Sequence, residues 1–282
     1  MRIRSRSLLR ISSAFATHHS RPARIQPSLR ILLLIFALYG IASQPAAAQA
    51  ATTGGTSSSL LAELSSAISG SKPVQQVQLS GNATWYTGGS QGSGTVTLVA
   101  SAGGSWQMQL VVSSIGQRTE SQTGAGSNAD CQWRGADGVA HEIDPDNCWR
   151  PTLWFFPAIS LQPSQLSSYL VAVDLGTGPV GSSANIYRHL QSQLLFTGLP
   201  STMATDIAKQ STTNLGLDPT SLFPAVLAYS VRPDSGASTP IAMEIHYSDY
   251  RAVNGTQIPF HIQRYVNGYL QLDILLNSAQ VN

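Results

Sequence analysis

Four side chains able to bind a cation or trade a proton, His141, Glu142, Asp144 and Asp146, fall within six residues of one another. Oxygen ligands at alternating positions suit calcium, but Pro145 interrupts the run and no Asp-x-Asp-x-Asp-Gly loop accompanies it. The cluster therefore reads as a solvated acidic loop. Gly88-Gly89-Ser90-Gln91-Gly92 meets the formal pattern of a nucleophile elbow, which needs a strand before it and a helix after it. Here another strand-like segment follows, so a hairpin loop over 87–94 is expected instead. His246 and His261 fall on neighbouring strands and on the same wet face, a spacing that allows a cross-strand surface pair. Cys131 and Cys148 are the only cysteines, 17 positions apart, with no second Cys pair or closely spaced His pair to complete a metal site. In an oxidising compartment they are expected to form a disulfide contributing about 3 kcal/mol on the chain-entropy account. These groupings identify no reaction, cofactor or metal, and the chain reads as a binding protein rather than an enzyme.

The compartment follows from the first fifty residues. Seven arginines and no acid occupy residues 1–30, Ile31 to Ala42 form a short apolar run, and Ala48-Gln49-Ala50 offers a small-x-small cleavage site. Residues 1–50 thus read as a secretory signal peptide, since the apolar run is shorter than the ~20 residues a bilayer span needs. Its removal leaves nine basic against fourteen acidic residues, a net charge of −5 for residues 51–282. A mildly acidic domain lacks the clustered Lys and Arg that nucleic-acid binding requires. The expected product is periplasmic or secreted, without a stable membrane span after processing.

Hydrophobic periodicity then places the elements. Residues 51–58 are small and polar, as in a flexible link, and one domain is expected over 59–282. Leu60, Leu61, Leu64 and Ile68 share a helical face, with Ser57 to Ser59 before it and Gly70 after it. From Val74 the period becomes two: Val77, Leu79, Ala83 and Trp85, then Val96, Leu98 and Ala100, then Trp106, Met108, Leu110 and Val112. Cys131 to Arg150 reads as a disulfide-tied excursion, and Pro151 to Leu170 as short helices or a loop covering a sheet face. Strands are expected at Ala184 to Leu195 and Asn214 to Leu217, with a helix at Thr202 to Gln210 between them. Two Val-Asn-Gly turns, ending at Gly255 and Gly268, join three strands whose inner residues include Met243, Ile245, Phe260, Ile262 and Leu272. Their wet face carries Glu244, His246, His261, Gln263, Gln271 and Asp273. The fold class is mainly β with a few helices.

The run "IAMEIHYSDYRAVNGTQIPFHIQRYVNG", Ile241 to Gly268, and the stretch "LGLDPTSLFPAVLAYSV", Leu215 to Val231, resemble the C-terminal sheet of periplasmic proteins with the outer-membrane lipoprotein carrier (LolA/LolB-like) fold. The resemblance covers residues 213–276. It implies an incomplete antiparallel β-barrel, or strongly curved sheet, with helices across its concave apolar face. The family pattern has no counterpart to "CQWRGADGVAHEIDPDNCWRP". Periodicity alone leaves Trp106, Met108, Leu110, Met243, Ile245, Phe260 and Ile262 open to two readings, a filled core or the wall of a ligand pocket. The resemblance favours the pocket, and with it a protein holding a hydrophobic ligand such as an acyl chain or lipidated peptide. The alternative is a non-enzymatic interaction or sensing module of the cell envelope, its core filled by its own side chains and its surface turned to a protein partner.

Overall fold

The computed structural model describes residues 57–70, 72–125, 128–162, 170–196, 198–233 and 239–282. The expected leader (1–50) and most of the expected link lie outside the described residues. Ser57 and Ser58, expected in the link, instead begin helix α1, Ser57–Ser69, so the serines form its first turn. Gly70 ends it at φ +62°, the left-handed geometry that glycine adopts without strain.

Two meanders build the sheet. The first comprises β1 Gln76–Thr87, β2 Ser90–Ser101, β3 Trp106–Val112, β4 Gly116–Thr123, β5 Asp130–Arg134 and β6 Ala140–Glu142. The second comprises β7 Leu170–Gly178, β8 Tyr187–Leu194, β9 Thr213–Leu217, β10 Pro224–Val231, β11 Ile241–Val253, β12 Thr256–Val266 and β13 Tyr269–Val281. Pairing of β1 with β13 merges them into one antiparallel sheet of 13 strands among the described residues, with β6 and β7 at its two ends. Three further helices, α2 Pro145–Cys148, α3 Pro157–Ser160 and α4 Ser201–Ser211, complete the description. The mainly-β class is thus observed, as an open sheet rather than a closed barrel.

Both Asn-Gly turns take the geometry their residues favour. Asn254 and Gly255 sit at φ 50° and 84°, Asn267 and Gly268 at 49° and 80°, the doubly positive φ of a type I′ turn. The loop expected over 87–94 is shorter than its composition suggests, because Gly88 and Gly89 alone make the turn and β2 starts at Ser90. Gly94 is in the strand because the neighbouring chain passes close by. A Cβ there would lie 1.8 Å from the Val111 carbonyl oxygen. The expected excursion over 131–150 contains two further strands, β5 and β6, which extend the sheet.

A single contact measures how far this sheet curls. β12 and β4 are five strand positions apart, ~24 Å across a flat sheet at ~4.8 Å per strand. Yet Arg264 Nη1 on β12 lies 3.6 Å from Glu120 Oε2 on β4, both on the inner face. The sheet must therefore bend around that face. Leu60, Leu61, Leu64 and Ile68 of α1, which packs against β12, belong to one buried core with Leu79, Leu98, Ile245 and Ile274 of the sheet.

A second element crosses the concavity, the segment 148–162. The disulfide between Cys131 and Cys148 ties its start to β5. Thr152 Oγ1 lies 3.0 Å from Ser192 Oγ and 3.1 Å from Thr213 Oγ1, a buried hydroxyl cluster that joins it to β8 and β9. The Tyr247 hydroxyl donates to the Trp154 carbonyl (2.5 Å), and Gln162 Nε2 donates to the Val74 carbonyl (2.8 Å). The strap's own Leu153, Trp154, Phe155, Phe156 and Ile159 are buried. Over the described part of the segment expected at 151–170, residues 151–162, a loop with the helical turn α3 covers the sheet; residues 163–169 lie outside the described residues. Replacing both cysteines by alanine should cost about 3 kcal/mol, read as a lower urea midpoint with a steeper slope, because the unfolded chain loses its cross-link and exposes more surface. An unchanged midpoint would show that the strap is held without the disulfide.

Candidate functional site: an amphipathic cavity inside the curled sheet

Cross-strand partners share a face, and this rule assembles the site from β3 and its neighbours. Trp106, Met108 and Leu110 face inward; opposite them on β4 stand Gln122, Glu120 and Arg118. Trp133 on β5 pairs with Glu120. On the other side of the curl, Arg264 continues the inward row of Phe260 and Ile262, and Tyr229 on β10 pairs with Met243 on β11. The inward face of this end of the sheet is therefore partly polar.

Between these walls and the strap lies a cavity of about 740 Å³. Trp85, Trp106, Trp133, Trp154, Leu153 and Met243 supply apolar wall; Arg118, Glu120, Gln122, Arg150, Arg264 and Gln271 supply polar wall. Of the seven residues assigned to ligand contact, Trp106 and Met243 line this space. Met108, Leu110, Ile245, Phe260 and Ile262 are buried; all but Phe260 are no more than 1% exposed, and all five belong to the contiguous core. Phe260 packs beneath the Arg251 guanidinium, 4.4 Å from its ring centre.

The polar wall is organised around one carboxylate. Arg118 Nε donates to Glu120 Oε1 at 2.7 Å, and Arg264 Nη1 approaches the other oxygen at 3.6 Å. Burial alone would raise the Glu120 carboxyl, but the Arg264 and Arg118 charges outweigh it and hold it below the usual carboxylate range. Arg264 also lies near two indoles, 5.4 Å from the Trp85 ring centre and 5.3 Å from that of Trp154. Trp106 Nε1 donates to Gln122 Oε1 (3.0 Å), and Gln122 Nε2 donates to the Gly104 and Gly124 carbonyls, fixing this corner. Arg150 follows the disulfide by two residues and gives its terminal nitrogens to the carbonyls of Gln210 and Ser230. Burial pulls its guanidinium below the ordinary arginine value.

The other reactive groupings lie elsewhere. His141 stacks on Trp133 with ring centres 4.1 Å apart, Asp144 caps α2, and Asp146 pairs with Arg232 at 3.1 Å. They turn to separate partners, and no cluster of three or more His, Cys, Asp or Glu able to hold a metal occurs among the described residues. The expected pairing of His246 with His261 is corrected: the register sets His246 opposite Gln263 and His261 opposite Ser248. His246 bonds Glu244 (3.3 Å) instead, and His261 bonds Asp273 (2.7 Å). Ser248 Oγ lies 3.2 Å from His261 Nδ1 and Asp273 Oδ1 lies 2.7 Å from its Nε2, so the three connect in series but with the ring nitrogens reversed relative to a hydrolytic triad. They project from the outer face, whereas the cavity lies on the inner one.

One signal for the site was present in the sequence: Arg264 has the same parity as Phe260 and Ile262, which puts a cation in an apolar row. Gln271 was expected on the wet face, but Arg264 pairs with Leu272 and Tyr265 with Leu270, so Gln271 is the extra residue of a bulge in β13 and lines the cavity.

No protein-family model matches the chain, and no curated protein does. Among solved structures it is similar to a LolA superfamily protein from Nitrosomonas europaea, with 10% identity over 81% of this chain and 94% of that one, at a TM-score of 0.47. A DUF1329 family protein from Desulfovibrio piger shares 9% identity over 80% and 92% at TM-score 0.49. An outer membrane lipoprotein-sorting protein domain from Vibrio parahaemolyticus shares 8% over 79% and 91% at 0.47. Identities of 8–10% and TM-scores below 0.5 assign neither a family nor a function to this chain.

Proposed function

We propose that this chain is an exported binding protein that holds a hydrophobic ligand, an acyl chain or the lipid part of a lipidated peptide, within the curled sheet and performs no reaction on it. The cavity carries this reading. At roughly 30 Å³ per water-sized group, 740 Å³ accommodates about two dozen heavy atoms, enough for one acyl chain and its headgroup. Each methylene moved from water onto the wall of Trp85, Trp106, Trp154 and Met243 contributes ~0.8 kcal/mol. A second reading, an envelope interaction or sensing module, draws support from the rest of the concavity, which α1 and the strap fill with the protein's own side chains.

Two neighbouring substitutions on β11 test the proposal. Met243→Asp sets a carboxylate at the cavity wall, where the protein should stay folded but bind palmitic acid and its glycerol ester at least tenfold more weakly, followed by tryptophan fluorescence. Ile245→Asp buries an unpaired carboxylate in the closed core and should cost several kcal/mol of stability. Saturable binding unaffected by Met243→Asp would place the ligand elsewhere. If neither probe binds the parent protein, the sensing-module reading gains instead.

A further inference from the structure

Hydrocarbon burial does not account for the charge in the cavity. Among its described lining residues are four arginines and one carboxylate. Arg232 is matched by Asp146, and Arg118 takes Glu120 at hydrogen-bonding distance. Arg150 and Arg264 remain. Among the described residues Arg150 donates to backbone carbonyls, which carry no formal charge, and faces the Tyr229 ring at 5.4 Å, while Arg264 stands 3.6 Å from a carboxylate already engaged by Arg118. A buried cation without full compensation is costly, so a ligand made only of hydrocarbon would leave this site worse solvated than water does.

The unpartnered atoms agree with the charge count. Among the described residues, Arg264 Nε, Arg150 Nε and Trp154 Nε1 are buried polar atoms without a hydrogen-bond partner, and all three residues line the cavity. Arg264 is only 7% exposed. Each of these atoms is a donor, so among the described residues the groups around the cavity carry more N–H donors and positive charge than the acceptors that reach them. An oxyanion provides what is missing, because a carboxylate or phosphate accepts from several donors at once and matches the planar guanidinium fork.

Resting on the binding function proposed above, we infer that the ligand is an anionic amphiphile, its carboxylate or phosphate headgroup seated at Arg264 and Arg150 and its chain lying along Trp106 and Met243. The aromatic faces of Trp85 and Trp154 beside Arg264 keep water from the ion pair and so strengthen it.

Four probes separate headgroup from chain: palmitic acid, 1-palmitoylglycerol 3-phosphate, the uncharged 1-palmitoylglycerol, and inorganic phosphate alone. Titrated into the purified protein, the two acidic amphiphiles should bind at least tenfold more tightly than the uncharged glyceride, with phosphate alone producing no saturation in the same range. Arg264→Gln should reduce the preference for acid over glyceride below threefold. Should that variant fail to fold, Arg264→Gln with Glu120→Gln removes both charges together and is read in the same way. Equal affinity for acid and glyceride overturns the headgroup assignment while leaving the binding function intact. Saturation by phosphate alone at matching concentration overturns the amphiphile in favour of a simple anion site. Binding of none of the chain-bearing probes removes both this inference and the function beneath it.

Discussion

Phe155→Ala should lower the stability of the folded chain by about 3–5 kcal/mol, the usual cost of deleting a fully buried aromatic side chain. Phe155 has no exposed surface and meets two indoles edge-on, Trp106 at 6.2 Å and Trp154 at 5.3 Å between ring centres. It is wedged between Trp154 of the strap and Trp106 of β3, so its loss leaves a void in the core where the strap meets the sheet. Urea unfolding reads the effect as a displaced midpoint, with Tyr269→Ala as the comparison, since Tyr269 is 80% exposed and its removal should change stability by less than about 0.5 kcal/mol. A loss under 1 kcal/mol for Phe155→Ala would show that the strap is not packed as described.

Arg264→Met should also be damaging at neutral pH, though by less than the about 3–5 kcal/mol of a fully stranded buried charge, because Glu120 loses one of its two cations and keeps Arg118. Its pH dependence is the more specific signature. In the parent protein the Glu120 carboxyl is held below its ordinary value, so its contribution is fully present above the unfolded pKa and is lost as pH falls through the depressed folded value. Without Arg264, burial opposes only the Arg118 charge. The carboxyl then titrates higher, and the variant should regain stability on mild acidification where the parent does not. Adding Glu120→Gln should recover part of the loss at neutral pH. A variant whose deficit is the same at pH 5 and pH 7, and unaltered by Glu120→Gln, would show that Arg264 acts through packing alone.

The parts of the fold visible in the sequence are those set by local chemistry. The Asn-Gly turns, the α1 face and the alternation of β1, β2, β3 and β11 to β13 each follow from a few adjacent residues. What escaped depends on distant partners. β4 reads as polar throughout, because Arg118, Glu120 and Gln122 face inward toward a cavity that exists only once the sheet has curled. Met108 and Met243 have the same alternating context, yet one is sealed in the core and the other lines the cavity. The difference lies in what the curl sets opposite each of them. Gly92 and Gly94 suggested a loop by composition, whereas their place in β2 reflects a close approach of β3 and the turn after it, which no local rule anticipates.

Native mass spectrometry of the protein purified without detergent tests the central claim most directly, because it asks whether the cavity is occupied. The predicted spectrum contains a population carrying one bound amphiphile, restored by palmitic acid after delipidation and absent for Met243→Asp. A folded parent protein that stays ligand-free both as purified and after incubation with palmitic acid would contradict it.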